Sequence, residues 1–249
     1  YLHPQAQRFF HRILVDLVDS DQCQVIYSTH SPIFADMTRF ESIRLLHKSA
    51  GEATSASWVH KDTDLSYLDN QLRRQKLNQY MDPSTSEALF ARKVLLVEGH
   101  GDYLAAKLVA DRLKIDLDAE GLSVVSCGGK NAIPFFARTC AALGIPALVM
   151  HDEDLYPDTG QPLAGWQLEE NAKAPAQNAE ILSAASGSEN VFLLKPSLEG
   201  ELGIGRAASD KPLKVIDALS SMKLEQMPVG LVAAVRALTG VEETVNSRG

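Results

Sequence analysis

The sequence predicts an α/β fold, a parallel sheet flanked by helices, on three observations. Short apolar runs of strand length recur at Lys93–Val97, Leu122–Cys127, Pro146–Met150 and Asn190–Leu194. They are near-continuously hydrophobic, as strands buried on both faces are, rather than alternating. Helical patterns with short connections separate the first three, giving strand, helix, strand, helix, strand, the order that produces a parallel sheet with right-handed crossovers. Finally, most of these runs stop at carboxylates: Glu98 after the first, Asp152 and Asp154 after the third, Glu199 and Glu201 beyond the fourth.

The elements follow in order. Tyr1–Arg8 opens a helix, and Cys23–Tyr27 reads as a strand ending in the polar loop Ser28-Thr29-His30-Ser31-Pro32. Leu65, Leu68, Leu72 and Leu77 mark an amphipathic helix, broken by Asp82-Pro83-Ser84, and Pro83 starts another. Arg73, Arg74 and Lys76 form its charged face. After the strand at 93–97, Gly99-His100-Gly101-Asp102 is a tight turn, and Tyr103–Leu113 is a helix with Leu104, Leu108 and Leu113 on one face. Gly128-Gly129-Lys130-Asn131 closes the second strand, and a helix over Ala132–Leu143 stops at Gly144. Tyr156–Gly160 is a loop on the carboxylate side, Gly165–Ser186 is helical, and the tail after Thr239 carries no pattern.

Ligands in open α/β sheets bind outside the carboxyl ends of the strands, so Glu98, Asp152 and Asp154 are expected to converge on one crevice. Clustered carboxylates repel unless cations join them, and all-oxygen ligands suit hard divalent ions, Mg²⁺ or Mn²⁺. Asp102 is either a further ligand or a helix cap. Glu199 and Glu201 stand two residues apart, and one of the pair is expected to be a ligand. Among the cations, Lys130 opens a helix after a Gly-Gly turn, where backbone amides and ammonium together suit a phosphate. Lys211, and less so Arg206, are candidates to neutralise a transition state; solvated surface residues are the alternative for each. His151 is expected to pack or orient a neighbour, since imidazole prefers softer ions.

Composition sets bounds. Apolar and charged fractions of 45% and 22% are those of a soluble globular protein, and no apolar run approaches the roughly 20 residues of a membrane span. Neither a signal peptide's basic region nor its apolar one is present, and Cys23, Cys127 and Cys140 read as reduced core residues, so a cytoplasmic protein is expected. A net charge of −8 opposes a nucleic-acid backbone unless bound divalent cations reverse the sign at the point of contact. No GxxxxGK[ST] phosphate loop occurs.

Glu98-Gly99 after the first strand, Gly128-Gly129-Lys130-Asn131 after the second and Asp152-x-Asp154 after the third resemble a Toprim domain, over about residues 92–205. The N-terminal sixty residues resemble the end of an ABC-type ATPase head, with His30 in the place of the switch histidine. Together these resemble a C-terminal fragment of an overcoming-lysogenisation-defect (OLD) family nuclease. The resemblance implies residues 1–60 as ATPase remnant and 61–91 as helical connector. It gives 92–205 as the Toprim catalytic domain, with a helical insertion near 160–188, and 206–249 as C-terminal helices and tail. It implies an endonuclease that hydrolyses DNA with two metal ions. Glu98 and Asp102 would hold one ion, Asp154, Glu199 and Glu201 the other, and Asp152 would lie between, with Lys130 and Lys211 as helpers. It also implies that ATP acts only in the full-length protein, that this protein is a homodimer, that a helicase is an optional partner, and a role in phage defence. A primase- or topoisomerase-like Toprim fragment and a non-catalytic metal-binding module are the competing classes.

Overall fold

The structure, a computed structural model, describes residues 2–21, 23–35, 37–48, 51, 53–60, 62–63, 83–157, 162–205 and 209–240. The amphipathic helix expected around Leu65–Leu77 with Arg73, Arg74 and Lys76, as well as Arg206 and the tail, lie outside the described residues.

In chain order the helices are α1 (Pro4–Asp21), α2 (Pro83–Glu87), α3 (His100–Leu113), α4 (Ile133–Ala142), α5 (Gly165–Ala184), α6 (Leu198–Glu201), α7 (Lys211–Ser221) and α8 (Val229–Thr239). The strands are β1 (Leu45–His47), β2 (Ser55–Ser57), β3 (Lys93–Val97), β4 (Leu122–Ser126), β5 (Ala147–Asp152) and β6 (Val191–Leu194). β3 to β6 form a parallel sheet in the order β4-β3-β5-β6. The chain steps from β3 to one side and then crosses back to β5 on the other, so the sheet's switch point falls between the carboxyl ends of β3 and β5.

Alternation along β3 explains why helices cover both faces. Val94 and Leu96 enter one core with Ile133, Phe135 and Phe136 of α4 and Ile181 of α5, while Leu95 and Val97 enter a second with α3, α7 and α8. The α3 stripe differs from the leucine face expected. Ala105, Ala106, Val109 and Ala110 are the buried residues, and Leu108 and Leu113 only flank the core. A helix pressed closely onto a sheet fills the contact with small side chains and leaves larger ones at the margin.

The N-terminal segment partly departs from expectation. α1 forms, but Cys23–Tyr27 is not a strand: among the described residues no other backbone lies alongside to complete a ladder, and Ile26 is 94% exposed. Instead β1 and β2 make an antiparallel hairpin that the sequence pattern did not announce. Phe40 and Val59, on either side of it, pack into the α4-side core, with the Phe40 ring edge-on to Phe135 at 5.6 Å.

α8 lies very close to the sheet at Gly230, where an added Cβ would collide with the Leu193 carbonyl oxygen of β6. That oxygen is backbone and cannot rotate away. Gly230→Ala is therefore expected to cost at least about 2 kcal/mol, as overpacked cores do, against the small gain of alanine in a helix. Urea denaturation would read it as a lower midpoint with unchanged slope.

Candidate metal centre

Two hydrogen-bonded turns build the floor of the site. The Gly129 amide donates to the Glu98 carbonyl (2.8 Å), and the Cys127 amide to that of Val97 (2.9 Å), so the exits of β3 and β4 are locked together. Gly128 (φ 76°) and Gly129 (φ 131°) adopt backbone conformations that side chains disfavour, and this swings Lys130 back under the strand ends. Lys130 is only 6% exposed. Its Nζ donates to the Asp152 carbonyl (2.6 Å) and to Asp154 Oδ2 (2.7 Å). The structure thus makes Lys130 a buried counter-ion of the acidic loop rather than a solvated surface lysine.

The acids are placed around it. Asp152 ends β5, and its Oδ1 accepts the Leu198 amide at the start of α6 (2.9 Å). Asp154 follows in a left-handed conformation (φ 56°), its amide donating to the Pro196 carbonyl (2.8 Å), which ties the β5 exit to the loop after β6. Asp102 sits in the first turn of α3 and its Oδ2 accepts the Gly99 amide (2.9 Å), a cap that leaves its other oxygen unused by that bond. Glu199 lies in α6 with Lys211 Nζ 3.8 Å away. Glu201 turns elsewhere: its Oε1 accepts the Lys195 amide (2.7 Å) and so braces the loop.

Electrostatics joins these groups into one cluster. Burial pushes the Glu98 carboxyl up to about 7, helped by repulsion from Asp102 and Asp154 and opposed by Lys130. Burial likewise pushes Asp102 up to about 6, with Glu199 adding repulsion, and holds Asp152 well above the usual carboxylate range, with Asp102 and Glu98 adding theirs. Glu98 Oε2 is buried without a hydrogen-bond partner. An unpartnered carboxylate oxygen among mutually repelling acids, with an oxygen-only donor set, fits a hard divalent cation. No three of the described His, Cys, Asp or Glu side chains stand close enough to hold one ion as they lie.

The neighbours are as distinct. His151 is buried, its Nδ1 donating to the Asp152 carbonyl (2.7 Å), and burial holds the imidazole down at about 4, so it is neutral and orients rather than carries charge. Cys127 and Cys140 are buried thiols with raised pKa values, inert core residues, and Cys23 is also unpaired. His30 is exposed, its ring 6.5 Å from that of Phe90. Sequence reasoning missed Ser197 and Tyr156. Ser197 Oγ caps α6 by accepting the Gly200 amide (3.1 Å), and the Tyr156 backbone is held by Asn171, whose Oδ1 accepts its amide (2.7 Å) and whose Nδ2 donates to its carbonyl (2.9 Å). Burial and the nearby Asp154 raise the Tyr156 phenol. Ser197 is an N-cap residue type ahead of Leu198-Glu199-Gly200-Glu201, a readable signal even though Gly200 stands where a capping-box acid would; Tyr156 was legible only as part of a loop on the carboxylate side.

Comparison with known proteins bears on this arrangement. Residues 89–154, which include Glu98, Asp102, Lys130, Asp152 and Asp154, match the overcoming lysogenization defect protein-like TOPRIM domain, and residues 1–35 match an AAA ATPase domain. An OLD nuclease of Thermus scotoductus is 45% identical over 244 residues, 96% of this chain. The chain belongs to the OLD family. It spans about half the length, 46%, of that relative. Solved C-terminal regions of OLD proteins are looser matches. That of Burkholderia pseudomallei is 21% identical, covering 61% of this chain and 98% of its own, with a TM-score of 0.42. That of Xanthomonas campestris pv. campestris is 21% identical, covering 62% and 95%, with a TM-score of 0.41. No described helix of this OLD-family chain is long and apolar enough to cross a membrane.

Proposed function

We propose that this chain is a metal-dependent endonuclease that hydrolyses DNA phosphodiester bonds at the Glu98–Asp152 crevice. The observation that carries the reading is the buried, mutually repelling carboxylate set at the sheet's switch point, with Glu98 Oε2 left without a partner. Glu98 and Asp102 would hold one ion, Asp154 and Glu199 a second, and Asp152 would face both. Glu201, held by the Lys195 amide, is the weaker of the acidic pair.

When bound, two divalent cations supply charge neutralisation at the phosphate, acidification of the attacking water and stabilisation of the leaving oxygen. The chain's own residues do the rest. Lys130 fixes Asp154 and the β5 exit through its bonds to the Asp152 carbonyl and Asp154 Oδ2. The Leu198 amide orients Asp152. Lys211, at the start of α7 and loosely paired with Glu199, would meet a phosphate oxygen. In the longer protein, the AAA-like segment and His30 would belong to an ATP-binding head that regulates cleavage; to this chain, whose sequence has no GxxxxGK[ST] phosphate loop, we assign no ATPase activity. DNA as partner, a homodimer and a helicase partner for the full-length protein, and phage defence as its setting, belong to the same reading.

Supercoiled plasmid tests it directly. Incubated with Mg²⁺ or Mn²⁺, the chain is expected to nick and then linearise the plasmid, without ATP, and to do neither in Ca²⁺ or EDTA. Tight binding of a single ion with no cleavage in any metal would instead show a metal-binding switch.

A further inference from the structure

Asparagines are weak helix formers, yet two of them stand on the core-facing stripe of α5. Asn171, Ala174, Asn178 and Ile181 share one face of that helix, and Ala174 and Ile181 are fully buried. Beside the exit of β5 this stripe meets backbone. Asn178 Nδ2 donates to the Glu153 carbonyl (2.9 Å), closer than the Lys130 ammonium, which stands 3.5 Å from the same oxygen. Asn171 takes both polar groups of the Tyr156 backbone, its Oδ1 the amide (2.7 Å) and its Nδ2 the carbonyl (2.9 Å). The two residues so held bracket Asp154, whose left-handed backbone (φ 56°) is one that side chains disfavour. From the opposite side the Glu153 and Asp154 amides donate to the carbonyls of Leu194 and Pro196, each at 2.8 Å. The turn that carries Asp154 is thus fixed by β6 and the loop after it on one side and by asparagine amides of α5 on the other.

Resting on the reading above in which Asp154 helps to hold the second ion, we propose that Asn171 and Asn178 are positioning residues for that ion. They fix the backbone before and after Asp154, and together with Lys130 on Oδ2 (2.7 Å) they set where its carboxylate points. A carboxylate already held in place accepts a cation without first losing the freedom of its loop, so the clamp acts on affinity. Its reach is local. Glu98 and Asp102 belong to the β3 exit and α3, and the bonds of the two asparagines go to neither, so the ion assigned to that pair is not under their control.

Titration calorimetry of the whole chain with Mn²⁺ tests this. The parent should show two sites. Asn171→Ala and Asn178→Ala should each weaken the same one of them about tenfold, the lower end of what losing a ligand's hydrogen-bonding support does to metal affinity, and leave the other unchanged. In EDTA, amide exchange across residues 153–157 should speed up in both variants. Gln177→Ala is the control, since its Nε2 bonds Asn131 (2.7 Å) rather than the turn, and both affinities should stay as in the parent. Either asparagine variant decides alone if the other does not fold. Faster exchange with both affinities kept, or equal weakening of the two sites, means that the asparagines only brace the fold; that overturns the inference and leaves the metal centre standing. A parent that binds no Mn²⁺ overturns the metal centre and the inference together.

Discussion

Asp152→Asn is expected to lower metal-dependent nicking by more than about 100-fold, beyond the 10–100-fold that is typical when an outer-shell partner of a metal ligand is lost. The substitution is chosen because it separates charge from shape. Asp152 Oδ1 accepts the Leu198 amide, and an asparagine oxygen of the same geometry keeps that bond, so the start of α6 stays in place. What disappears is the negative charge at the position that faces both proposed ions. The melting temperature without metal should not fall, and should rise somewhat, because burial and the charges of Asp102 and Glu98 disfavour the ionised form of this residue. Initial rates on plasmid with thermal unfolding in EDTA measure both quantities. Glu201→Gln is the control: its oxygen serves the Lys195 amide, glutamine keeps that acceptor, and activity should change little. A loss in Glu201→Gln as large as that in Asp152→Asn would instead make Glu201 a ligand.

The sheet was legible because its signal is local. Buried parallel strands must be short and apolar throughout, and β3, β4, β5 and β6 fall within a residue or two of the runs read from sequence. The acids at their exits were legible for the same reason: a carboxylate directly after an apolar run has nowhere to go but the strand end. Lys130 was visible as a residue beside a Gly-Gly turn, but not its burial, because that depends on two positive-φ glycines turning it toward Asp154, 24 residues away. The Glu199 and Glu201 difference was invisible, since it is set by which of them meets the Lys195 amide after the chain turns at Pro196. The Cys23–Tyr27 segment failed in the opposite sense. Its residues suit a strand, but a strand exists only beside a neighbour, and pairing is not a property of one segment. The β1–β2 hairpin was missed because three-residue strands carry too little alternation to stand out.

Glu98→Gln is expected to make the metal-free protein more stable at pH 8 while removing its cleavage activity. Glu98 titrates at about 7 in the fold against an ordinary 4.5, chiefly because its carboxylate is buried. The folded state therefore holds a proton that the unfolded chain has already released. Stability from this group is complete below about pH 4.5, declines as pH rises toward 7 and stays lost above it. That gap corresponds to a deficit on the order of 3 kcal/mol at pH 8, or several degrees of melting temperature for a protein of this size. Asp102 and Asp152, also raised, push in the same direction. Glutamine fills the same space uncharged, so in EDTA the variant should melt above the parent at pH 8 and level with it near pH 4.5. Adding Mn²⁺ should then raise the parent and hardly the variant, since a ligand stabilises only the state that binds it. The same buried charge that weakens the empty fold is what makes the site accept a cation. If Glu98→Gln melts below the parent at pH 8 in EDTA, Glu98 is held by interactions within the fold, and the argument from its orphaned oxygen collapses.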